Sequence, residues 1–403
     1  MTGESAESIA SGAGAGDAGD PELQAAGDSG VEAAGDSGLQ AADGTELAAP
    51  PTNGRPDSRA DAFLGLTREE CREHLRLMIL ARRFEEKAAE AYQMGKIGGF
   101  CHLYIGQEAV AAGTIPPLRA DDYVITAYRD HAQALVRGIS PGSVMAELFG
   151  RVDGCSKGLG GSMHMFDRSL NFLGGHGIVG SHLPLAIGVG YAIRYRDGDQ
   201  VCLCCFGDSV VNIGAFHESL NMAARWKLPV VFVLENNSYG MGTDIHRVTA
   251  VEELKDRGGA YDGLVSLDVD GMDVLAVRQA MEDAIARARS DKTPSFIEAR
   301  CYRYMGHSMA DPSHGTYRTR EEVERWRSDD AILQFRRKLI DAGRLSEEEY
   351  ETLDREAIAE AEAAVEFADR SPVPDPDAAY RYVYSDEYRH DIRRRDAWRG
   401  EFG

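Results

Sequence analysis

The amino-acid sequence predicts an α/β fold in which a parallel sheet is covered by helices on both faces, with helical segments added at the N- and C-terminal ends. Between residues 100 and 300, helical patterns alternate with four short apolar runs, at 122–126, 201–206, 229–234 and 295–299. Such alternation is typical of parallel strands joined by helices. The composition, 43% hydrophobic and 27% charged, is that of an ordinary folded protein.

The chain divides into three predicted regions. Residues 1–60 are mostly Ala, Gly, Asp, Ser and Pro and contain the sequence AAGDSG at 25–30 and again at 33–38. We predict a disordered acidic tail there, because so few apolar side chains cannot offset the entropy of ordering. Residues 61–330 are predicted to form the α/β domain with its N-terminal helix, and residues 331–403 a helical C-terminal region and tail.

Two helix starts are marked by capping boxes. Thr67 and Glu70 have this spacing, so we predict a long helix from there to about Gly95. Ser346 and Glu349 repeat the spacing and predict a helix in the C-terminal region. The stretch 303–320 is polar and aperiodic, which predicts a long loop, and long loops in folded domains are usually functional or mobile.

The charge and the cysteines exclude several classes of protein. A formal net charge of -22 argues against nucleic acid or an anionic membrane surface as a partner. No run of 18 apolar residues occurs, and the first 30 residues lack the basic start and apolar core of a signal peptide. Seven scattered cysteines favour reduced thiols. We therefore predict a cytoplasmic location with no membrane span.

Residues 206–243 carry the chemistry, because they read as one strand–helix–strand unit. Asp208 follows the first strand and Asn237 ends the second, and the carboxyl ends of parallel strands meet at one edge of the sheet. Together with a backbone carbonyl near Tyr239, these oxygens could bind Mg²⁺ or Ca²⁺ and, through the cation, a diphosphate. Alternatively, Asp208 could cap the following helix and Asn237 could lie in a turn.

Two other motifs match known patterns for dinucleotide binding and for a metal or disulfide site. Residues 175–180 match the dinucleotide fingerprint G-x-G-x-x-G, but only a short NFLG precedes them, so we expect no buried strand and no nicotinamide site there. Cys202 and Cys205 match C-x-x-C, yet residues three apart in a strand point to opposite faces and cannot share a metal or a disulfide.

The GD at 207–208, followed by NN at 236–237, is a thiamin diphosphate signature. With the segments at 98–113, 127–131, 156–166, 171–188 and 302–312, the chain from about 65 to 390 resembles the alpha subunits of thiamin diphosphate-dependent 2-oxo acid dehydrogenases. The sequences FCHLYIGQEAV and NIGAFHESLN are more similar to the pyruvate branch. The resemblance implies oxidative decarboxylation of pyruvate and transfer of the acetyl unit to a lipoyl group.

The resemblance also implies the positions that hold the cofactor. Thiamin diphosphate would lie against Tyr128, Arg129, Gly177, Val179, Asp208, Ser209, Val210, Asn237, Tyr239 and Arg303. Within this set, Asp208, the Asn237 side chain and the Tyr239 carbonyl would bind Mg²⁺. Tyr128 and Arg129 would hold the diphosphate, and the backbones of Gly177 and Val179 would contact the aminopyrimidine.

Two histidines and one substitution complete the predicted site. His102 and His307 correspond to active-site histidines of the family, and we predict that they handle protons and stabilise the reacting groups. The family usually has glycine where Ser209 stands, so this hydroxyl could crowd the diphosphate or add a contact to it. For His131, His164, His182 and His217 we expect structural roles, and His176 has no role that we can argue.

The resemblance implies that the site is completed by other chains. A glutamate that engages the aminopyrimidine comes from a second domain, which we expect a beta subunit to supply in an assembly of two alpha and two beta chains. A lipoyl-bearing dihydrolipoyl acyltransferase would accept the acetyl group. Two alternatives stay open: an alpha subunit acting on acetoin or on branched-chain 2-oxo acids, and a catalytically silent scaffold homologue.

Overall fold

A computed structural model describes residues 62–382. The predicted tail at 1–60 and the last part of the predicted C-terminal region, beyond residue 382, lie outside the described residues. The division into three regions therefore stays a prediction.

Six parallel strands form the central sheet, in the order β2-β1-β3-β4-β8-β7. A small antiparallel pair, β5 with β6, lies outside it. The strands are β1 Tyr123–Ala127, β2 Phe172–His176, β3 Cys202–Gly207, β4 Val230–Asn236, β5 Tyr239–Gly240, β6 Thr243–Asp244, β7 Val265–Asp270 and β8 Ser295–Arg300.

Helices connect the strands and extend the domain at both ends. They are α1 Arg68–Gln93, α2 Glu108–Thr114, α3 His131–Arg137, α4 Pro141–Leu148, α5 His182–Tyr195, α6 Gly214–Trp226, α7 Lys255–Gly259, α8 Val274–Asp291, α9 Arg320–Ser328, α10 Ala331–Asp341, α11 Glu347–Arg370 and α12 Ala378–Arg381. Within residues 62–382, every helix is too short or too polar to cross a membrane.

The sheet is covered on both faces, which confirms the predicted fold class. Side chains alternate along β3: Cys202, Cys204 and Phe206 pack into one apolar cluster with α5 and α6, whereas Leu203 and Cys205 pack into the other, with α1, α2 and α8. Cys202 and Cys205 thus lie on opposite faces, as expected. None of the seven cysteines, which all lie within residues 62–382, is in a disulfide, and all but Cys155 are buried.

Both predicted capping boxes are present. The Thr67 side chain accepts a hydrogen bond from the Glu70 amide, and the Glu70 carboxylate accepts one from the Thr67 amide, at the start of α1. Ser346 and Glu349 do the same at the start of α11. Each box satisfies amides that the first helical turn leaves without partners.

The expectation that no strand precedes residues 175–180 was wrong. These residues begin within β2, which pairs in parallel with β1, and α5 follows. The strand escaped prediction because two of its five residues are Gly174 and Gly175, and glycine has low strand propensity. It is an edge strand of this sheet, and Gly175 lies against Asp130, where a Cβ would approach Oδ2 to 2.4 Å.

The predicted long loop is present between β8 and α9. Its ends are tied together by Arg318, whose guanidinium donates to the carbonyl oxygens of Arg303, Met305 and Ser313. Asp311 accepts hydrogen bonds from the His307 amide and from the Tyr317 hydroxyl, both at 2.8 Å. Charge-assisted bonds of this kind fix the path of the loop from within.

Candidate functional site

A cavity opens at the carboxyl ends of β1, β3 and β4. This is the edge of an α/β sheet at which ligands commonly bind. Its lining includes nine of the twelve residues predicted for the site: Tyr128, Arg129, Val179, Asp208, Ser209, Val210, Asn237, Tyr239 and Arg303. The other lining residues are Ala127, Gly180, Gly207, Glu235 and Gly240.

Asp208 lines the cavity and lies in the turn that follows β3. Its side chain is 2% exposed, and its Oδ2 atom is buried without a hydrogen-bond partner. Burial raises the pKa of this carboxyl to about 6, against the opposing effect of Arg303 and Arg129. A buried carboxylate oxygen that lacks a donor fits a bound cation.

Asn237 is oriented by a residue that the sequence did not single out. Its Nδ2 donates to Gln107 Oε1 at 2.8 Å, and its Oδ1 accepts a long bond of 3.3 Å from the Tyr239 amide. Because Gln107 occupies the amide nitrogen, Oδ1 is the atom that Asn237 can offer to a cation. Asp208 and Asn237 line one cavity, as their positions at the ends of β3 and β4 predicted.

The third predicted cation ligand, the Tyr239 carbonyl, lies beside a buried arginine. Arg303 Nη1 is 3.5 Å from the Tyr239 oxygen, and Nη2 donates to the Met241 carbonyl at 3.1 Å and to the Tyr317 hydroxyl at 3.0 Å. Arg303 is 1% exposed. A buried guanidinium here adds positive charge at the point where a diphosphate is predicted.

Arg129 joins two segments of the site. Its Nη1 donates to the Leu103 carbonyl at 2.7 Å and its Nη2 to the His307 carbonyl at 2.8 Å. Burial, reinforced by Arg303, lowers the pKa of Arg129 to about 10. The guanidinium still carries its charge at neutral pH and lines the cavity, which fits binding of an anion.

His102, His307 and Tyr128 form a cluster of three rings next to the cavity. The ring centroids of His102 and His307 are 5.1 Å apart, and Tyr128 lies 4.7 Å from His102 and 5.7 Å from His307. Burial, together with the charge of Arg129, lowers the pKa of His102 to about 2 and that of His307 to about 4. Both imidazoles are neutral at pH 7, and both Nδ1 atoms are buried without partners.

The segment 175–180 contributes Val179 and Gly180 to the lining of the cavity. Val179 lines the cavity, whereas Gly177 is not among the lining residues. Gly177 lies against the ring of His164, and a Cβ placed on Gly177 would be 3.2 Å from that ring. Val179 is 42% exposed and Ile178 is 75% exposed. The predicted backbone contacts of Gly177 and Val179 with the aminopyrimidine stay predictions.

Ser209 points its hydroxyl towards the strand β5. A Cβ on Gly240 would lie 2.1 Å from Ser209 Oγ and 3.3 Å from Ser209 Cβ. The Ser209 side chain therefore fills the space next to Gly240 that a glycine at position 209 would leave open.

Sequence reasoning missed a second buried carboxyl in the cavity. Glu235, paired in register with Gly207, accepts hydrogen bonds at Oε1 from the Tyr104 hydroxyl and from Gln133 Nε2, both at 2.6 Å. Burial raises its pKa to about 7. Its place directly before Asn236 and Asn237 was visible in the sequence, but its interior partners were not.

The described residues, 62–382, contain no cluster of three or more His, Cys, Asp or Glu side chains able to hold a metal. A cation at Asp208 would instead depend on one carboxylate, an amide and a carbonyl, with phosphate oxygens completing its shell. Mg²⁺ is often bound in this way in nucleotide and diphosphate sites. The donor set and the two arginines therefore fit a magnesium diphosphate.

Comparison with known proteins decides the family. Residues 76–377 match the family model described as "Dehydrogenase E1 component". The chain belongs to the dehydrogenase E1 component family. This confirms the predicted family, and members of the family are in general thiamin diphosphate-dependent.

Relatives of the dehydrogenase E1 component chain cover most of its length. The pyruvate dehydrogenase E1 component subunit alpha of Rhizobium meliloti (strain 1021) is 46% identical over 327 residues, which is 81% of this chain and 93% of that one. The subunit of the same name from Rickettsia conorii is 42% identical over 318 residues, covering 79% and 97%. The mitochondrial subunit of Sminthopsis macroura is 43% identical over 334 residues, covering 83% and 90%.

Proposed function

We propose that this chain is the alpha subunit of a pyruvate dehydrogenase that decarboxylates pyruvate oxidatively with thiamin diphosphate. The family match and the names of the relatives support this function, which the sequence predicted. The alternatives, an acetoin or branched-chain 2-oxo acid dehydrogenase and a silent scaffold, are favoured by no finding.

The observation that carries the proposal is the cavity that combines a buried, unpartnered Asp208 oxygen with two buried arginines. Asp208 Oδ2, Asn237 Oδ1 and the Tyr239 carbonyl would hold Mg²⁺, while Arg129, Arg303 and Tyr128 would face the diphosphate. Ser209 and Val210 would complete this wall. When bound, thiamin diphosphate supplies the electron sink that accepts the negative charge left by the departing CO₂.

We propose that His102 and His307 act on the substrate. Both imidazoles are neutral and have a buried Nδ1 without a partner, so each can donate or accept one proton at a ring nitrogen. Their surroundings favour the neutral form, because burial and Arg129 oppose a second positive charge. We propose that they hold hydrogen bonds to the 2-oxo acid and move a proton during the reaction.

Other chains would complete the enzyme. The described residues contain one diphosphate-type sheet, so we propose that a beta subunit contributes the carboxylate for the aminopyrimidine, in an assembly of two alpha and two beta chains. A lipoyl-bearing dihydrolipoyl acyltransferase would receive the acetyl group. We propose a cytoplasmic location, although one relative is mitochondrial.

The deciding experiment compares substrates and assemblies. The chain is produced with its beta subunit, loaded with Mg²⁺ and thiamin diphosphate, and assayed for decarboxylation of pyruvate and 2-oxoisovalerate and for cleavage of acetoin. We expect the highest kcat/KM with pyruvate, and none of these activities for the chain alone. A preference for another substrate would refute the pyruvate assignment, and robust turnover by the chain alone would refute the shared site.

A further inference from the structure

Glu147, in the last turn of α4, is fully buried although it does not line the cavity. Its carboxylate accepts four backbone hydrogen bonds. Oε2 accepts from the amides of Ser156 at 2.7 Å and Gly158 at 2.8 Å, and Oε1 accepts from Gly160 at 2.7 Å and Gly161 at 3.0 Å. Four donors occupy the acceptor sites of one carboxylate, so this loop is folded around Glu147.

The backbone of the loop 156–161 follows an unusual path around the Glu147 carboxylate. Lys157, Gly158 and Gly161 have φ angles of 61°, 73° and 61°, in the left-handed region that favours glycine. A Cβ on Gly160 would lie 2.0 Å from the His164 carbonyl oxygen. The amides converge on Glu147 only because the chain takes this unusual path.

The loop leads directly to Ser162, which is 4% exposed. Ser162 Oγ accepts a hydrogen bond from the His102 amide at 3.1 Å and forms a second hydrogen bond, with His131 Nε2, at 2.8 Å. His131 Nδ1 donates to Glu85 Oε2 at 2.9 Å, and both side chains are fully buried. Glu85 Oε1 accepts from the Tyr104 amide at 2.8 Å. The side chains of Ser162 and Glu85 therefore hold the amides of His102 and Tyr104.

We propose that Glu147 is a positioning residue for His102 and acts through Ser162. Because His102 Nδ1 has no hydrogen-bond partner, the place of its imidazole is set by its backbone and by the adjoining rings. The Ser162 hydroxyl fixes that backbone, and Glu147 fixes Ser162. This inference rests on the proposed active-site role of His102.

The first test uses hydrogen exchange of the assembled alpha–beta complex, followed by mass spectrometry. Glu147→Gln replaces one acceptor oxygen by an NH₂ group, so we expect faster exchange both at 156–162 and at 101–104. Ser162→Ala removes the acceptor of the His102 amide and the partner of His131 Nε2 but leaves the four amides on Glu147, so faster exchange is expected at 101–104 and not at 156–161. Unchanged exchange at 101–104 in Glu147→Gln would overturn the proposal.

The second test is a double-mutant cycle on pyruvate decarboxylation. Misplacing an active group by about 1 Å can lower kcat by about 100-fold, so we expect each single variant to lose about 10- to 100-fold in kcat. The KM for pyruvate should change little. The double variant should lose no more kcat than the less active of the two single variants, since both changes break one chain of contacts. Additive losses would contradict action through Ser162.

Matched variants separate the possible failures. Asp122→Asn weakens another fully buried carboxylate, which accepts the amides of Arg119 and Val201, and should lower stability while leaving kcat unchanged. His102→Gln tests the role on which the inference rests: full activity would refute the proposed role of His102. A loss in His102→Gln with normal kcat in Glu147→Gln would refute only the positioning role. If Glu147→Gln does not fold, Glu147→Asp replaces it, because the shorter acid keeps the negative charge that the four amides face while lengthening its contacts with them.

Discussion

Arg129 donates a hydrogen bond of 2.8 Å from Nη2 to the carbonyl oxygen of His307, a residue 178 positions later in the chain. The other nitrogen of the same guanidinium holds the Leu103 carbonyl, next to His102. One forked side chain therefore sets the spacing between the two segments that carry the proposed catalytic histidines, while its charge stays in the cavity.

Arg129→Lys should test both roles at once. An ammonium keeps the charge but cannot present the planar fork, and hydrogen bonds from charged groups contribute about 1.5–3 kcal/mol each. We expect kcat for pyruvate to fall by about 10- to 100-fold, the rate equivalent of about 1.4–2.7 kcal/mol. Steady-state kinetics of the assembled enzyme measures this.

The matched control is Arg137→Lys. Arg137 also donates to backbone carbonyls, including those of Leu170 and Asp122, but at the opposite end of β1. It should reduce the melting temperature without changing kcat. Equal kinetic losses in the two variants would mean that Arg129 contributes only general stability.

Asp208→Ala should abolish Mg²⁺-dependent binding of thiamin diphosphate. The substitution removes the one carboxylate of the proposed cation site and leaves the diphosphate charge without its counter-ion. Titration calorimetry of the assembled complex, with and without Mg²⁺, measures the affinity. Asp270→Ala is the control, because Asp270 ends β7 at the same edge of the sheet but does not line the cavity. Wild-type affinity in Asp208→Ala would refute the metal assignment.

Gly240→Ala should be more destabilising when residue 209 is serine than when it is glycine. The new methyl group would lie 2.1 Å from Ser209 Oγ, and overpacking of this kind costs about 1–3 kcal/mol. In the Ser209→Gly background the same change should cost much less. Thermal unfolding of the two pairs of variants tests this, and an equal cost in both backgrounds would contradict the contact.

His74 should make the protein more sensitive to acid. Burial, followed by the charge of Arg278, lowers its pKa from 6.5 to about 4. Between these values the unfolded chain binds a proton that the folded chain does not, so stability falls as the pH falls from 6.5 to 4 and no further below that. At 1.36 kcal/mol per pKa unit, the contribution reaches at most about 3 kcal/mol.

His74→Gln should therefore flatten part of this acid dependence. The difference in melting temperature between variant and wild-type complexes, measured from pH 7 to pH 4, isolates the contribution of this group. His246→Gln, at an exposed position, serves as the control. An identical pH profile for His74→Gln and wild type would show that His74 takes up its proton at the same pH in the folded and unfolded chains.

The site was predictable from sequence where local order determines geometry. Asp208 and Asn237 each follow a strand of the same strand–helix–strand unit, so parallel pairing alone brings them to one cavity. Gln107 and Glu235 were missed as parts of the site because their contacts, with Asn237 and Tyr104, depend on how distant segments pack. The role of Ser162 depends on the path of a glycine-rich loop around Glu147, which no periodic pattern encodes.

The fold divides in the same way. Capping boxes and apolar runs predicted α1, α11 and four of the strands, because these signals are local. Strand β2 was missed since its glycines give no strand propensity, and its pairing with β1 must come from tertiary packing. Strand β7 was missed although Val265, Leu267 and Val269 alternate with polar residues.

The reactivity of the three thiols of β3 reports when the interior of the sheet becomes accessible to solvent. Burial raises the pKa of Cys202, Cys204 and Cys205 well above the ordinary range of a thiol, so the reactive thiolate is scarce there. An alkylating reagent reaches these sulfurs only after the helices that cover the two faces of the sheet have moved away. Pulsed alkylation would thus time the opening of the sheet interior without any introduced label, whereas Cys155, which is partly exposed, would react earlier.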